Sequence, residues 1–453
     1  MTDPFVLAAF TMSTPSHGNF GLWRHPEDQT SRYTDIRYWV ALAKLLDTGG
    51  FDALFIADAV GQLDVFGGDA DAALTRGVQT PVTDPLLAVS AMAAATTHLG
   101  FGITVSTTYE SPYLLARKFS TLDHLTGGRI GWNIVTSLLD SAARNIIGRD
   151  RQIPHDERYA MAGEFLEVTY KLWEGSWEAD AVLRDRARGI YTDAAKVHPI
   201  GHEGRYFQVP GAHLVEPSPQ RTPVLFQAGT STAGREFAAR NAELVFASDP
   251  RPQVLRANIE DIRRRAVAHG RRPESIKFLT SVEIVTDSTD SAARAKAADL
   301  AKYHDLEAGL VLLSALSGVD WSEYGVDRPI EQFDTDASRS ILAAVDGAGD
   351  GTGSPCATTW VSSAVSVDNC SSGPPRRSPM NWRRTPRALV STASTSLTTS
   401  PPAVSPTSPN ISSRSFVAGA VPVKPAMRPR CGSGCSEARR CCPMTIPARV
   451  SGW

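Results

Sequence analysis

Between residues 6 and 303 the chain alternates short apolar runs with longer stretches of helical period, and this rhythm restricts the fold more than any other feature. VLAAF at 6–10, FDALFIA at 51–57, LGFGITVS at 99–106, RIGWNIVTS at 129–137, PVLFQAG at 223–229, ELVFAS at 243–248 and residues 276–285 have the length and composition of strands. The stripe of Tyr38, Leu42, Leu45 and Leu46, the segments 85–95 and 113–125, the amphipathic RYAMAGEFLEVTYKLW at 158–173, and residues 233–242, 251–269 and 290–303 read as helices between them. A strand, a helix and a second strand in succession fold as a parallel βαβ unit, because the helix carries the chain back to the starting end of the sheet. These seven strands in one stretch, with no GxGxxG loop directly after any of them, predict an α/β fold of the (β/α)8 TIM-barrel kind rather than an open nucleotide-binding sheet. Chemistry in such a barrel sits on the loops after the strand C-termini. Two long insertions, 175–222 and 305–340, are expected to cover that mouth.

Composition narrows the function. With 42% hydrophobic and 21% charged residues, the 453-residue chain has an ordinary soluble, globular make-up. A formal net charge of −2 gives no basic field for nucleic acid or an anionic membrane. The start, MTDPFVLAAF, has no basic segment before its apolar run, and no apolar stretch is long enough to span a bilayer, so a cytoplasmic location is expected. No HExxH, GxSxG or clustered Cys/His spacing occurs in residues 1–340, so no metal is expected.

Six segments together are similar to one family. They are WRHP at 23–26, FDALFIAD at 51–58, TVSTTYESPY at 104–113, FSTLDHLTGGRIGWNIVTS at 119–137, HDERYAMAGEFLEVTYKLW at 155–173 and FQAGTSTAGREFAAR at 226–240. In order, over about residues 5–340, they resemble the group of nitrilotriacetate monooxygenase component A and dibenzothiophene sulfone monooxygenase, within the bacterial luciferase-like flavin monooxygenases. The GRIGWNIVTS segment sets the chain apart from the deazaflavin-dependent branch of that superfamily. The resemblance implies a luciferase-like barrel that binds reduced FMN (FMNH2), takes O2 as co-substrate, and transfers one oxygen atom from a C4a-hydroperoxyflavin to a small organic substrate. It implies a two-component system in which a separate NAD(P)H:FMN reductase supplies the reduced flavin, in keeping with the missing dinucleotide fingerprint. A homodimer or homotetramer is the assembly left open.

Position and resemblance together select the candidate site. Asp58 ends the second strand and faces the expected mouth, where it serves either a ligand or a loop cap. Thr104 and Ser106 end the third strand and Asn133, Thr136 and Ser137 the fourth; their polar groups could bond an isoalloxazine edge, although threonine is also a common strand residue. His155 and Tyr159, four apart at a helix start, share one face and are candidates for the FMN phosphate, against capping by Asp156 and packing by Tyr159. Gly229-Thr230-Ser231 precedes a helix and offers small residues, hydroxyls and free N–H groups to a phosphate, as it would to any helix start. His155 and His17 are the candidate proton handlers, since imidazole titrates near neutrality; by the resemblance His17 and Trp23–Arg24 lie near flavin or substrate.

After about residue 343 the rhythm stops. The expected organisation is a barrel over 1–343 and an aberrant, disordered Ser/Pro/Arg-rich tail over 344–453, which carries all six cysteines. The family has a segment like IADEL there, then DGFNI as the eighth strand, then a helix ending near VVPxLRRRG. Read two nucleotides out of frame, Met380-Asn381-Trp382 must encode Glu-Leu and the preceding codons permit Ile-Ala-Asp; Ser391 to Ser396 permits Asp-Gly-Phe-Asn-Ile; and Ala403 to Ala420 permits a run ending Leu-Arg-Arg-Arg-Gly. The expectation is a frameshift near 340–355 that removes the eighth strand and leaves the barrel open between its seventh and first. Two alternatives accompany the oxygenase: an inactive flavin-binding remnant, and a phosphate-binding barrel without flavin affinity.

Overall fold

We obtained a computed structural model that describes residues 6–229, 231–247, 251–323, 370–373 and 389–393. Eight parallel strands pair in a ring: β1 (Leu7–Met12), β2 (Ala53–Ala57), β3 (Gly100–Ser106), β4 (Ile130–Val135), β5 (Val224–Gln227), β6 (Leu244–Phe246), β7 (Lys277–Thr286) and β8 (Leu389–Ala393). Each pairs with the next, and β8 lies between β7 and β1, which closes the barrel. The helices used below are α1 (Ile36–Thr48), α2 (Leu86–Ala94), α3 (Pro112–Thr126), α4 (His155–Tyr170), α5 (Thr232–Asn241), α6 (Pro252–Ala268), α7 (Asp290–Ala301) and α8 (Leu306–Ser317). The strands and helices expected from the rhythm are all present, most of them within three residues of the expected ends.

Side chains alternate across a strand, so each strand feeds two cores. The outward set, including Ile56, Ile103, Trp132 and Ile134, packs against Trp39, Leu42, Phe119 and Phe165 of the helices. The inward set forms a plug of aromatic rings. Phe10, Phe55, Phe226 and Phe246 meet with ring centroids 4.5 to 6.3 Å apart, with Leu279 beside them. Four large rings fit because β3 and β4 present glycine to the axis. A Cβ on Gly102 would stand 2.8 Å from the Phe55 ring, and one on Gly131 2.6 Å from the Phe226 ring.

The insertions behave differently from one another. Residues 175–222 form two small hairpins that dock on α3 and α4: the Tyr113 hydroxyl donates to the Ala212 carbonyl at 3.1 Å, and Glu164 accepts from the backbone N–H groups of Tyr206 and Phe207. This insertion therefore buttresses the outside of the barrel and does not cover its mouth, contrary to expectation. The start of the second insertion, α8, does reach the mouth. Asp305 caps it, accepting from the Ala308 N–H at 3.1 Å, and an Arg76 salt bridge at 2.7 Å pins the same carboxylate.

The eighth position is a correction. The barrel was expected to stay open between β7 and β1, but Leu389–Ala393 runs parallel to both, with Leu279 opposite Leu389 and Leu7 opposite Val390. The physical reason is that strand pairing joins backbone to backbone. Two facing edges of unmet N–H and C=O groups accept any extended segment, and LVSTA carries the β-branched residues that favour one. A second short strand, Cys370–Gly373, pairs with the outer end of β7. The other cysteines and the remaining tail segments lie outside the described residues.

Candidate functional site

At the C-terminal ends of the strands lies a cavity of about 320 Å³, within the roughly 300–1,000 Å³ usual for small-molecule sites. Of the predicted residues, His17, Asp58, Thr136, Ser137, His155, Tyr159 and Ser231 line it. Thr230 lies outside the described residues. Thr104, Ser106 and Asn133 do not line the cavity; they are buried in the strands and act on it through neighbours. Thr104 Oγ1 donates to the Ile56 carbonyl at 3.0 Å and accepts from Asn133 Nδ2 at 2.9 Å, while Ser106 Oγ accepts from Ser137 Oγ at 2.9 Å. Asn133 Oδ1 is buried without a hydrogen-bond partner.

Trp23 and Arg24 are not part of the cavity wall. Trp23 Nε1 donates to the Arg76 carbonyl at 3.0 Å, and Arg24 donates to the carbonyls of Gly21 and Tyr303. His25 pairs with Asp299 of α7 at 3.3 Å. The WRHP segment thus fastens the loop after β1 to the end of the barrel sequence, which is why its residue types looked functional.

One end of the cavity is a polar cradle at the start of α5. Ser231 caps this helix, its Oγ accepting from the Gly234 N–H at 3.0 Å, and His155 Nε2 lies 3.4 Å from the same oxygen. Nδ1 of His155 meets Asp156 at 2.8 Å, which fixes the ring. The Tyr159 hydroxyl bonds Ser231 and Gln227, and burial raises its pKa above that of an ordinary phenol, so it remains a donor at neutral pH. A Cβ at Gly229 or Gly234 would come within 2.9 Å of that hydroxyl. Buried Arg158 lines the wall one residue away, and Gln227 Oε1 is buried without a hydrogen-bond partner. Helix N-terminal N–H groups, two hydroxyls and an imidazole beside a space kept clear by two glycines, with a guanidinium in the same wall, are the donor set that suits a phosphate.

Elsewhere the wall holds two titratable groups. Burial, with Asp84 nearby, raises the Asp58 carboxyl to about 7. The His17 imidazole packs edge-on against Phe10 at 4.7 Å and receives a contact from Gln79 Nε2 at 3.4 Å; burial lowers it to about 4, so it is neutral at physiological pH. Gln79 (φ 48°) and Ser137 (φ 53°) both hold left-handed backbone that non-glycine residues rarely adopt. Such strain gathers at ligand sites. Arg158, Gln79, Gln227 and the α8 residues Leu312, Ala315 and Leu316 also line it and were not foreseen. Arg158 stood in plain view between His155 and Tyr159. Gln79 and α8 carry no local signal and reach the mouth only through the fold.

A closed parallel barrel with its cavity and a perturbed carboxyl at the C-terminal mouth has the layout of the (β/α)8 enzymes, whose chemistry sits there. The chain is a member of the luciferase-like monooxygenase family, whose signature matches residues 17–347, and it is a flavin-dependent monooxygenase by that membership. It is 50% identical over 345 residues to the dimethyl-sulfide monooxygenase of Hyphomicrobium sulfonivorans, covering 76% of this chain and 72% of that one. The long-chain alkane monooxygenase of Geobacillus thermodenitrificans is 50% identical over 347 residues, 77% and 79% of the two chains. The nitrilotriacetate monooxygenase component A of Aminobacter aminovorans is 37% identical over 321 residues, 69% and 70% of the chains, so the group expected from the sequence is the right one. The crystal structure of DmoA from Hyphomicrobium sulfonivorans superposes with a TM-score of 0.77 at 44% identity, covering 86% of this chain and 83% of that one. Among the described residues no helix is long and apolar enough to cross a membrane.

Proposed function

We propose that the protein binds reduced FMN in the mouth cavity and uses it with O2 to place one oxygen atom on a small organic substrate, the reduced flavin coming from a separate NAD(P)H:FMN reductase. The observation that carries this reading is the cradle, where Tyr159, Ser231 and His155 meet at the N-terminus of α5 beside Gly229 and Gly234, with Arg158 in the same cavity wall. Reduced flavin, when bound, supplies the oxygen activation. The protein's residues bind, orient and keep water out. Tyr159 and Ser231 would hold the phosphate through neutral donors, and the N-terminus of α5, with Arg158 in the same wall, would supply the positive potential. His155, fixed between Asp156 and Ser231, belongs to this end and not to proton handling. Asp58, Thr136 and Ser137 present polar atoms to the flavin ring, and Asn133, Thr104 and Ser106 hold that wall in place. The Asp58 carboxyl can keep or release a proton near neutral pH, which makes it the group best suited to proton transfer at the mouth. His17 is too weak a base at about 4 for that task.

Titration of the purified chain with FMN, oxidised and reduced under anaerobic conditions, tests the reading. Saturable binding is expected, and Tyr159→Phe should weaken it about tenfold, or about 1.4 kcal/mol, with an unchanged unfolding midpoint. A wild-type chain that binds neither form would refute the proposal. Binding without oxygen-dependent product in the presence of a flavin reductase would instead favour the inactive remnant.

A further inference from the structure

We infer that the substrate taken by this cavity is an uncharged, apolar molecule, held between Leu63, Leu138, Leu139 and Ala142 on one side and Leu312 and Ala315 of α8 on the other. The inference rests on the flavin reading above and adds the substrate class to it. Family membership leaves the class open, since the relatives' names include both dimethyl sulfide, an uncharged thioether, and nitrilotriacetate, an anion.

The lining is chemically divided. All six chamber residues line the cavity and belong to one contiguous apolar cluster, together with Phe20, Ala73 and Val78. This cluster joins α8 to the loops after β1, β2 and β4, so its apolar face is a built wall and not an incidental patch. Leu138 and Leu312 are only partly buried within it, which leaves their side chains as surface for a guest. The polar groups of the cradle are not among these six residues. His155 accompanies Tyr159 and Ser231 in the cradle, and the charge of Arg158, in the same wall, is felt by the Tyr159 hydroxyl there and by Tyr109. His17, also in the wall, is neutral at physiological pH. None of the six chamber residues carries a charge or a polar side chain to replace the hydration of a substrate carboxylate, and a charge buried without a partner is strongly disfavoured. The acid of the wall, Asp58, would repel an anion when ionised. It offers a cation little attraction either, because burial keeps its proton in place up to about pH 7. An uncharged apolar guest suffers neither penalty and gains by leaving water.

Three thioethers of similar size separate the cases: diethyl sulfide (neutral), thiodiacetate (dianion) and 2-(ethylthio)ethylamine (cation). Each is titrated into the FMN-loaded full-length chain at about pH 6.5, below the Asp58 midpoint of about 7, and the change in the flavin absorption spectrum is read. Diethyl sulfide is expected to bind about tenfold more tightly than either charged probe. Leu312→Arg should weaken diethyl sulfide about tenfold and let thiodiacetate bind, with flavin affinity unchanged; Leu312→Gln, a milder change, should weaken diethyl sulfide without admitting the dianion. A charged probe that binds wild type as tightly as diethyl sulfide, or a loaded enzyme that ignores diethyl sulfide, overturns the inference alone. A chain that binds no flavin overturns this inference and the flavin reading together, and the flavin titration without probe reports that separately.

Discussion

Among single residues, Asp58 ties the cavity to pH most directly. Its pKa is about 7 in the folded chain against an ordinary value of 3.8, so between these two pH values the folded state holds a proton that the unfolded state has lost. Stability from this group is therefore complete below the lower value and is lost as pH rises through the window. Asp58→Asn removes the penalty of ionisation. Its unfolding midpoint should match wild type near pH 4 and exceed it by a growing margin up to about pH 8, as followed by circular dichroism. A difference that is constant with pH would mean the carboxyl is not perturbed. At this scale the sequence was legible where a residue's place in a strand decides its direction. Asp58, Thr136 and Ser137 follow strands and reach the mouth, whereas Thr104, Ser106 and Asn133 lie a step too deep and serve the wall. Gln79 was illegible because nothing in its neighbours announces that the loop after β2 meets His17 in the loop after β1.

Among elements, the segment that carried the family resemblance turns out to be mostly architectural. In GRIGWNIVTS, the Arg129 guanidinium donates to the carbonyls of Leu99 and Ala93 and to that of Thr126, knitting the loop before β3, α2 and α3 together. Trp132 is fully buried and its Nε1 donates to the Val105 carbonyl at 3.0 Å. Gly131 makes room for Phe226. Only the last residues line the cavity. The motif was informative because so much packing meets in it, and this is also why it revealed the fold better than the chemistry. Gly131→Ala should cost about 1–3 kcal/mol by overpacking, measured by urea unfolding, and Phe226→Leu should recover part of that loss in the double variant. Additive losses would show that the ring and the glycine are independent. Periodicity located the helices well, since burial of one face sets their period. It placed the 175–222 insertion at the mouth by analogy, whereas Glu164, Tyr113 and Ser120 hold it against the outer helices.

For the whole molecule, the ring is completed by Leu389–Ala393, paired on both sides. We propose that residues after about 343 translate the family's closing segments out of frame, and that Leu389–Ala393 fills the eighth place because it falls beside the stretch that would encode DGFNI. Resequencing the coding stretch for 340–355 tests the origin; a single intact frame refutes it. The strand itself is tested by Val390→Pro, which removes a donor from a strand bonded on both sides. A lower unfolding midpoint and more aggregation are expected, and an unchanged midpoint would exclude the strand from the barrel. The frame-restored chain should be the more stable of the two. Sequence reasoning did not foresee this closure, because the β-branched residues of LVSTA are too short a signal to say which edges they will pair with. The phenylalanine plug has a last consequence, one of traffic. It stops the barrel from being a passage and makes it a blind well, so that whatever arrives at the loop end must also depart there. On the reading proposed here, flavin, oxygen, substrate and product queue at one doorway beside α8, and the order in which they pass becomes a property of that helix.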